Sequence, residues 1–191
     1  MPKFTYAALE AALPDSLRTA IAAAPMPSLG ESEIDDDLHQ WIVQHGDVGL
    51  DEMPGGDTCA VGACRDVASC TSGLWLLAGD IHQSHEISQD LSHQEGSFWH
   101  GIMHRREGDY GNAKYWFRRV DHHAVMRQMP DVAAAAGIAF PAAWVTGGII
   151  DGANFVDAIR MAHQSGKDLQ AALDMQWIEW QCLFAWCAGV R

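Results

Sequence analysis

Apolar positions recur along this chain at helical spacing, and no segment keeps the strict alternation of a half-buried strand. Residues 5–24 are rich in Ala and Leu and predict one or two short helices. Pro14 starts the second, where a missing N–H costs nothing, and Pro25 and Pro27 end it. Over 26–57 only Leu38, Trp41 and Ile42 hold the spacing, which predicts one short helix in much loop. The small apolar run 59–78 closes on Leu74, Trp75, Leu76 and Leu77 and predicts a buried helix, with Gly73 as a candidate break. Residues 131–150, rich in Ala and Gly, predict a short helix and a loop. Phe155, Ile159 and Ala162 share one face of a helix over 154–163, which Gly166 stops. Residues 167–187 then form a long final helix whose Trp177, Trp180, Phe184 and Cys187 make a core stripe.

The centre of the chain repeats itself. Gly79-Asp80-Ile81 and Gly108-Asp109-Tyr110 each precede a helical pattern, and Ser84, Ile87 and Leu91 match Ala113, Trp116 and Val120. Gly ends one helix in left-handed geometry and Asp caps the next. Two tandem helical hairpins follow. The run Gly108-Asp109-Tyr110-Gly111-Asn112-Ala113 with Phe117 resembles a tetratricopeptide hairpin, over about two units and without the full period of about 34 residues. The expected fold is all-α: a single domain over 1–191, with N-terminal helices and an acidic loop (1–57), tandem tetratricopeptide-like hairpins (58–130), and a loop with C-terminal helices (131–191).

Composition narrows the function classes. With 48% apolar residues in 191, the chain can bury a full core. A formal net charge of −13 disfavours nucleic acid and anionic membrane surfaces as partners. No stretch reaches the roughly 18 to 20 apolar residues of a membrane span, and residues 1–13 do not read as a secretory signal. These two readings make the cytoplasm the expected compartment; the five cysteines, odd in number and without a Cys-x-x-Cys pair, read as mostly buried thiols, with a disulfide among Cys59, Cys64 and Cys70 as the alternative. Nine acids fall within 31–57, where there is no Lys or Arg, and six of the twelve basic residues fall between Arg105 and Arg127. Charge runs of this kind are usually solvated.

Chemistry concentrates between residues 80 and 123. On a helical wheel, Phe98, Trp99, Ile102 and Met103 form an apolar stripe with Arg106 in its middle, where a guanidinium needs a carboxylate or many acceptors, and a carboxylate partner is expected. His100, His104 and Glu107 form a second stripe, and His at i and i+4 can converge on one atom. Lys114 and Arg118 also stand at i and i+4, and His85 borders the apolar face of the preceding helix. Several readings stay open. A pocket for a small anionic molecule, with enzymatic activity as one form of it, would use His85, His100, His104 and Glu107 for acid–base work. Arg105, Arg106, Lys114, Tyr115 and Arg118 would then hold the ligand. A divalent transition-metal site would use His100 and His104 with His85 or Glu107, although Gly101 stands where the zincin pattern needs Glu. The same cluster could instead be a structural network, and the hairpins a scaffold for a protein partner.

The run Ser97-Phe98-Trp99-His100-Gly101-Ile102-Met103-His104-Arg105-Arg106-Glu107-Gly108-Asp109-Tyr110 continues as Asn112-Ala113-Lys114-Tyr115-Trp116-Phe117-Arg118-Arg119. It resembles the signature of an uncharacterised bacterial and fungal protein family. Ser84-His85-Glu86-Ile87-Ser88-Gln89 and Glu179-Trp180-Gln181-Cys182-Leu183-Phe184 are similar to that signature as well. The resemblance spans most of 74–187, leaves the first 70 residues outside, and implies no mechanism.

Overall fold

Helices dominate the computed structural model, which describes residues 4–51 and 66–190, with 46–51 described by backbone alone. They are α1 (Ala7–Ala12), α2 (Asp15–Ala23), α3 (Asp36–Asp51), α4 (Val67–Leu77), α5 (Ile81–Ser88), α6 (Gln94–Glu107), α7 (Tyr110–Val120), α8 (Ala124–Ala135), α9 (Gly152–Ser165) and α10 (Leu169–Cys187). The strand content among the described residues is one antiparallel pair, β1 (Val145–Thr146) and β2 (Ile149–Ile150). Gly147 and Gly148, both at positive φ, form the two-residue turn between them. The fold is all-α.

The two central hairpins form as their turn chemistry dictates. Gly79 and Gly108 sit at φ 86 and 89. The Asp80 side chain accepts the Gln83 N–H at 3.0 Å, and the Asp109 side chain accepts the Asn112 N–H at 3.0 Å. Each Asp satisfies a donor that the first helical turn leaves orphaned. Hairpin α4–α5 packs beside hairpin α6–α7, and α10 lies across α4 and α8.

Three elements depart from expectation. Helix α3 is longer than the spacing of Leu38, Trp41 and Ile42 suggests, because a helix once nucleated adds one bond per residue. Helix α4 runs through Gly73 unbroken. That glycine supplies room instead: a Cβ there would lie 2.7 Å from the Trp99 ring, and its carbonyl accepts the Trp180 indole N–H at 2.8 Å. Helix α8 begins before the 131–150 segment, capped by His123, whose Nδ1 accepts the Val125 N–H at 3.3 Å.

The buried apolar residues make one contiguous cluster from Leu9 to Ala188. Its axis is α10 together with α6, which is buried from Gly96 to Arg106. A helix enclosed on all sides must satisfy its polar groups internally. Arg105, fully buried, donates to both carboxylate oxygens of Glu179 on α10, one at 3.1 Å and one closer, with its guanidinium 5.0 Å from the Phe155 ring. Arg106 is equally buried, as expected, but among the described residues it meets several acceptors in place of the expected carboxylate. Its guanidinium donates to the carbonyls of Gly30 and Leu76 and to the Ser32 hydroxyl. Residues 27–32 have no ladder of their own, so their carbonyls need donors from the core. Arg106 serves Gly30, and Gln176 serves Pro27 and Ser28.

Glu31, Glu33, Asp36 and Asp37 face solvent, as the charge run suggests; Asp57 and the thiols Cys59 and Cys64 lie outside the described residues. Among the described residues no helix is long and apolar enough to cross a membrane.

Candidate metal centre

The turn at Gly108 lays α7 antiparallel against α6. Residues equally far from the turn therefore face each other: Asn112 meets His104, and Trp116 meets His100. Gly101 permits the close approach, because even a methyl group there would come within 3.1 Å of the Phe117 ring. His85 arrives from α5, one hairpin earlier, and its ring meets those of His100 and His104 at 4.8 and 5.6 Å between centroids. One nitrogen from each of His85, His100 and His104 lies within 4.8 Å of the other two.

The hydrogen bonds fix much of the proton arrangement. His104 donates Nδ1–H to Glu107 Oε2 at 2.8 Å, so its Nε2 presents a lone pair. Two groups compete for that lone pair: His100 Nε2 at 2.9 Å and the Asn112 Nδ2 at 2.9 Å. If His100 carries its proton on Nε2, its Nδ1 becomes a buried lone pair with no hydrogen-bond partner. If the proton sits on Nδ1, the Nε2 lone pair of His100 faces that of His104, and only the latter has a donor, the Asn112 amide. Each form leaves a conflict in a buried setting, where unmet polar atoms are expensive.

Electrostatics keep His100 neutral. Burial, then the neighbouring His104 and His85, push the His100 pKa down to about 4, while the Ser88 carbonyl pulls weakly the other way. His100 is therefore uncharged at neutral pH, the state in which imidazole binds a metal. His100 and His104 are buried, and the His85 side chain is about one-third exposed, so the cluster meets solvent along α5. The carboxylates beside it are Glu107 and, 4.0 Å from His85 Nδ1, Glu86.

The sequence-based site residues separate into two groups. His85, His100, His104 and Glu107 come together. Arg105 and Arg106 turn into the core. Lys114 and Arg118 do not rim the histidines, because they lie on the α7 face turned away from Asn112 and Trp116. Lys114 pairs with Asp157 of α9 at 2.6 Å, and the two cations line a separate cavity of about 260 Å³ with Asp121, Asp151, Phe117 and Ile150. Tyr115 is exposed, packs edge-on against Trp116 and lies under the Arg118 guanidinium. Sequence reasoning gave no role to Asn112. Its signal was available, since it stands four positions after Gly108 as His104 stands four before.

No family model, curated protein or solved structure matches the chain.

Proposed function

We propose that this protein binds a divalent transition-metal ion at His85, His100 and His104. The observation that carries the reading is the convergence of three imidazole nitrogens within 4.8 Å, with the distal nitrogen of His104 held by a carboxylate. A carboxylate behind a metal-bound imidazole fixes its tautomer and raises its basicity. A cation between the two Nε2 atoms also removes the lone-pair conflict of the metal-free cluster. The local charges favour a cation over an anion: Glu107 and Glu86 flank the rings, Arg105, Arg106 and Lys114 are engaged elsewhere, and Arg119 lies over Trp116, with that ring between it and His100.

A tetrahedral metal needs about 3.3 Å between ligand nitrogens, given metal–nitrogen bonds of about 2.0–2.1 Å. The His100–His104 pair, at 2.9 Å, must open slightly, and the partly exposed His85 must swing inward. Three neutral imidazoles leave the full double charge on the ion, a set that suits bound water or an oxyanion on the open side. Cys182 and Cys187 are buried thiols outside any disulfide, which supports a reducing compartment such as the cytoplasm.

Titration calorimetry with Zn²⁺ and with Co²⁺ near pH 7.5 tests the reading. One ion should bind per chain, and His100→Ala and His104→Ala should each abolish binding. A wild-type protein that takes up neither ion overturns it.

A further inference from the structure

We infer that Asn112 is a fourth ligand of the same ion, through its side-chain oxygen. The inference rests on the metal reading of the histidine cluster and adds to it a residue from a third helix. The Asn112 side-chain amide lies 2.9 Å from His104 Nε2, the same separation that His100 Nε2 keeps from it. That nitrogen is the one whose lone pair a metal would take. Once the lone pair is given to an ion, the amide NH₂ has lost its acceptor and would point donor hydrogens at a cation. A half-turn of the amide about its last side-chain bond exchanges Nδ2 for Oδ1 in the same volume. The oxygen then lies where a ligand belongs. The slight opening that the His100–His104 pair needs, from 2.9 Å to about 3.3 Å, would seat this oxygen at the same ion, since it starts from the same 2.9 Å.

The backbone is built for this. Among the described residues the Asn112 side-chain amide bonds to His104 alone, so turning it breaks no other hydrogen bond. The turn at Gly108 fixes where the amide stands relative to His104. Amide oxygens are ordinary ligands for borderline and hard divalent ions, and one here leaves the solvent-facing side at His85 for water. In the metal-free protein Asn112 is a donor to His104; in the loaded protein it is an oxygen ligand. The two states differ by one amide rotation.

The experiment compares wild type, Asn112→Ala and Asn112→Asp by competition of Zn²⁺ against a chromophoric chelator, alongside the side-chain amide resonances of ¹⁵N-labelled protein. Helical circular dichroism and the metal-free melting midpoint check that each variant folds. Asn112→Ala should weaken Zn²⁺ binding at least about tenfold, as loss of a supporting or direct ligand group does. Asn112→Asp, which replaces a neutral oxygen with a charged one, should bind tighter than wild type. The Asn112 amide resonances should shift on addition of Zn²⁺ to wild type. If wild type binds and both variants match it, Asn112 is no ligand although the histidine site stands. If Asn112→Asp binds more weakly than wild type, the residue acts as a donor to His104 and the inference fails. If wild type does not bind Zn²⁺ or Co²⁺ at all, the histidine reading fails first and this one with it.

Discussion

Arg105 and Glu179 form a fully buried, two-pronged ion pair that ties the central helix α6 to α10. Desolvating two charges is costly, and geometry of this quality offsets most of that cost. Removing one partner leaves the other charged and unpaired in the core. Arg105→Ala or Glu179→Ala should therefore lower stability by about 3–5 kcal/mol. Urea denaturation followed by helical circular dichroism checks it, and a midpoint equal to wild type contradicts the pairing.

Arg106 should behave differently. Burial, and then the nearby Arg105 charge, push its pKa down to about 10, so it stays charged at neutral pH. Its partners are carbonyls and a hydroxyl, so Arg106→Ala strands acceptors and no ion. The expected loss is about 1–3 kcal/mol. Because Arg106 holds Gly30 and Ser32, the same variant should expose 27–32 to proteolysis before global unfolding. Limited digestion that cuts wild type and variant alike contradicts the latch.

The contrast between these two arginines marks how far the sequence reaches. The wheel showed that a cation at 106 lies inside an apolar stripe, and it is buried. It could not show that the carboxylate stands on the Arg105 side, because Glu179 is 74 residues away and its approach depends on packing. The hairpins were legible because a Gly–Asp pair acts within one turn of the chain. His100 and His104 were legible because i and i+4 are neighbours on any helix. The error on Lys114 and Arg118 came from the next step, the rotation of α7 about its own axis. Apolar Ala113, Phe117 and Val120 set that rotation, and they send Asn112 and Trp116 to one side and Lys114 and Arg118 to the other.

Glu107 offers a test of the metal site that leaves the three ligands intact. Its carboxylate accepts the Nδ1–H of His104 and is half exposed, so its loss should not unfold the protein. Glu107→Gln should weaken Zn²⁺ binding by about 10- to 100-fold. Affinity in wild type should also fall with acidification, because protons compete for the imidazoles. Chelator competition at two pH values measures both, and a Glu107→Gln affinity equal to wild type removes the carboxylate from the centre.

Glu95 controls a separate property, acid stability. Its Oε1 accepts the His123 Nε2–H at 3.3 Å and the Trp186 indole N–H at 2.7 Å, linking α6 to α8 and α10. His123 Nδ1 accepts the Val125 N–H, so Nε2 carries the proton it gives to Glu95. Chiefly that hydrogen bond, against the opposing effect of burial, pulls the Glu95 pKa down from 4.5 to about 2. A folded pKa below the unfolded one means that the unfolded chain takes up more protons in this window. The stabilisation is therefore complete above pH 4.5 and is lost as pH falls from there through about 2. Glu95→Gln keeps an acceptor oxygen and removes the titration. Its unfolding free energy should be lower than wild type at pH 7, and the gap should narrow steadily between pH 4.5 and 2.5. Urea melts at four pH values across that range measure the two slopes. Parallel curves would mean that Glu95 titrates alike in the folded and unfolded chain, and the buried acceptor would then contribute nothing to acid stability.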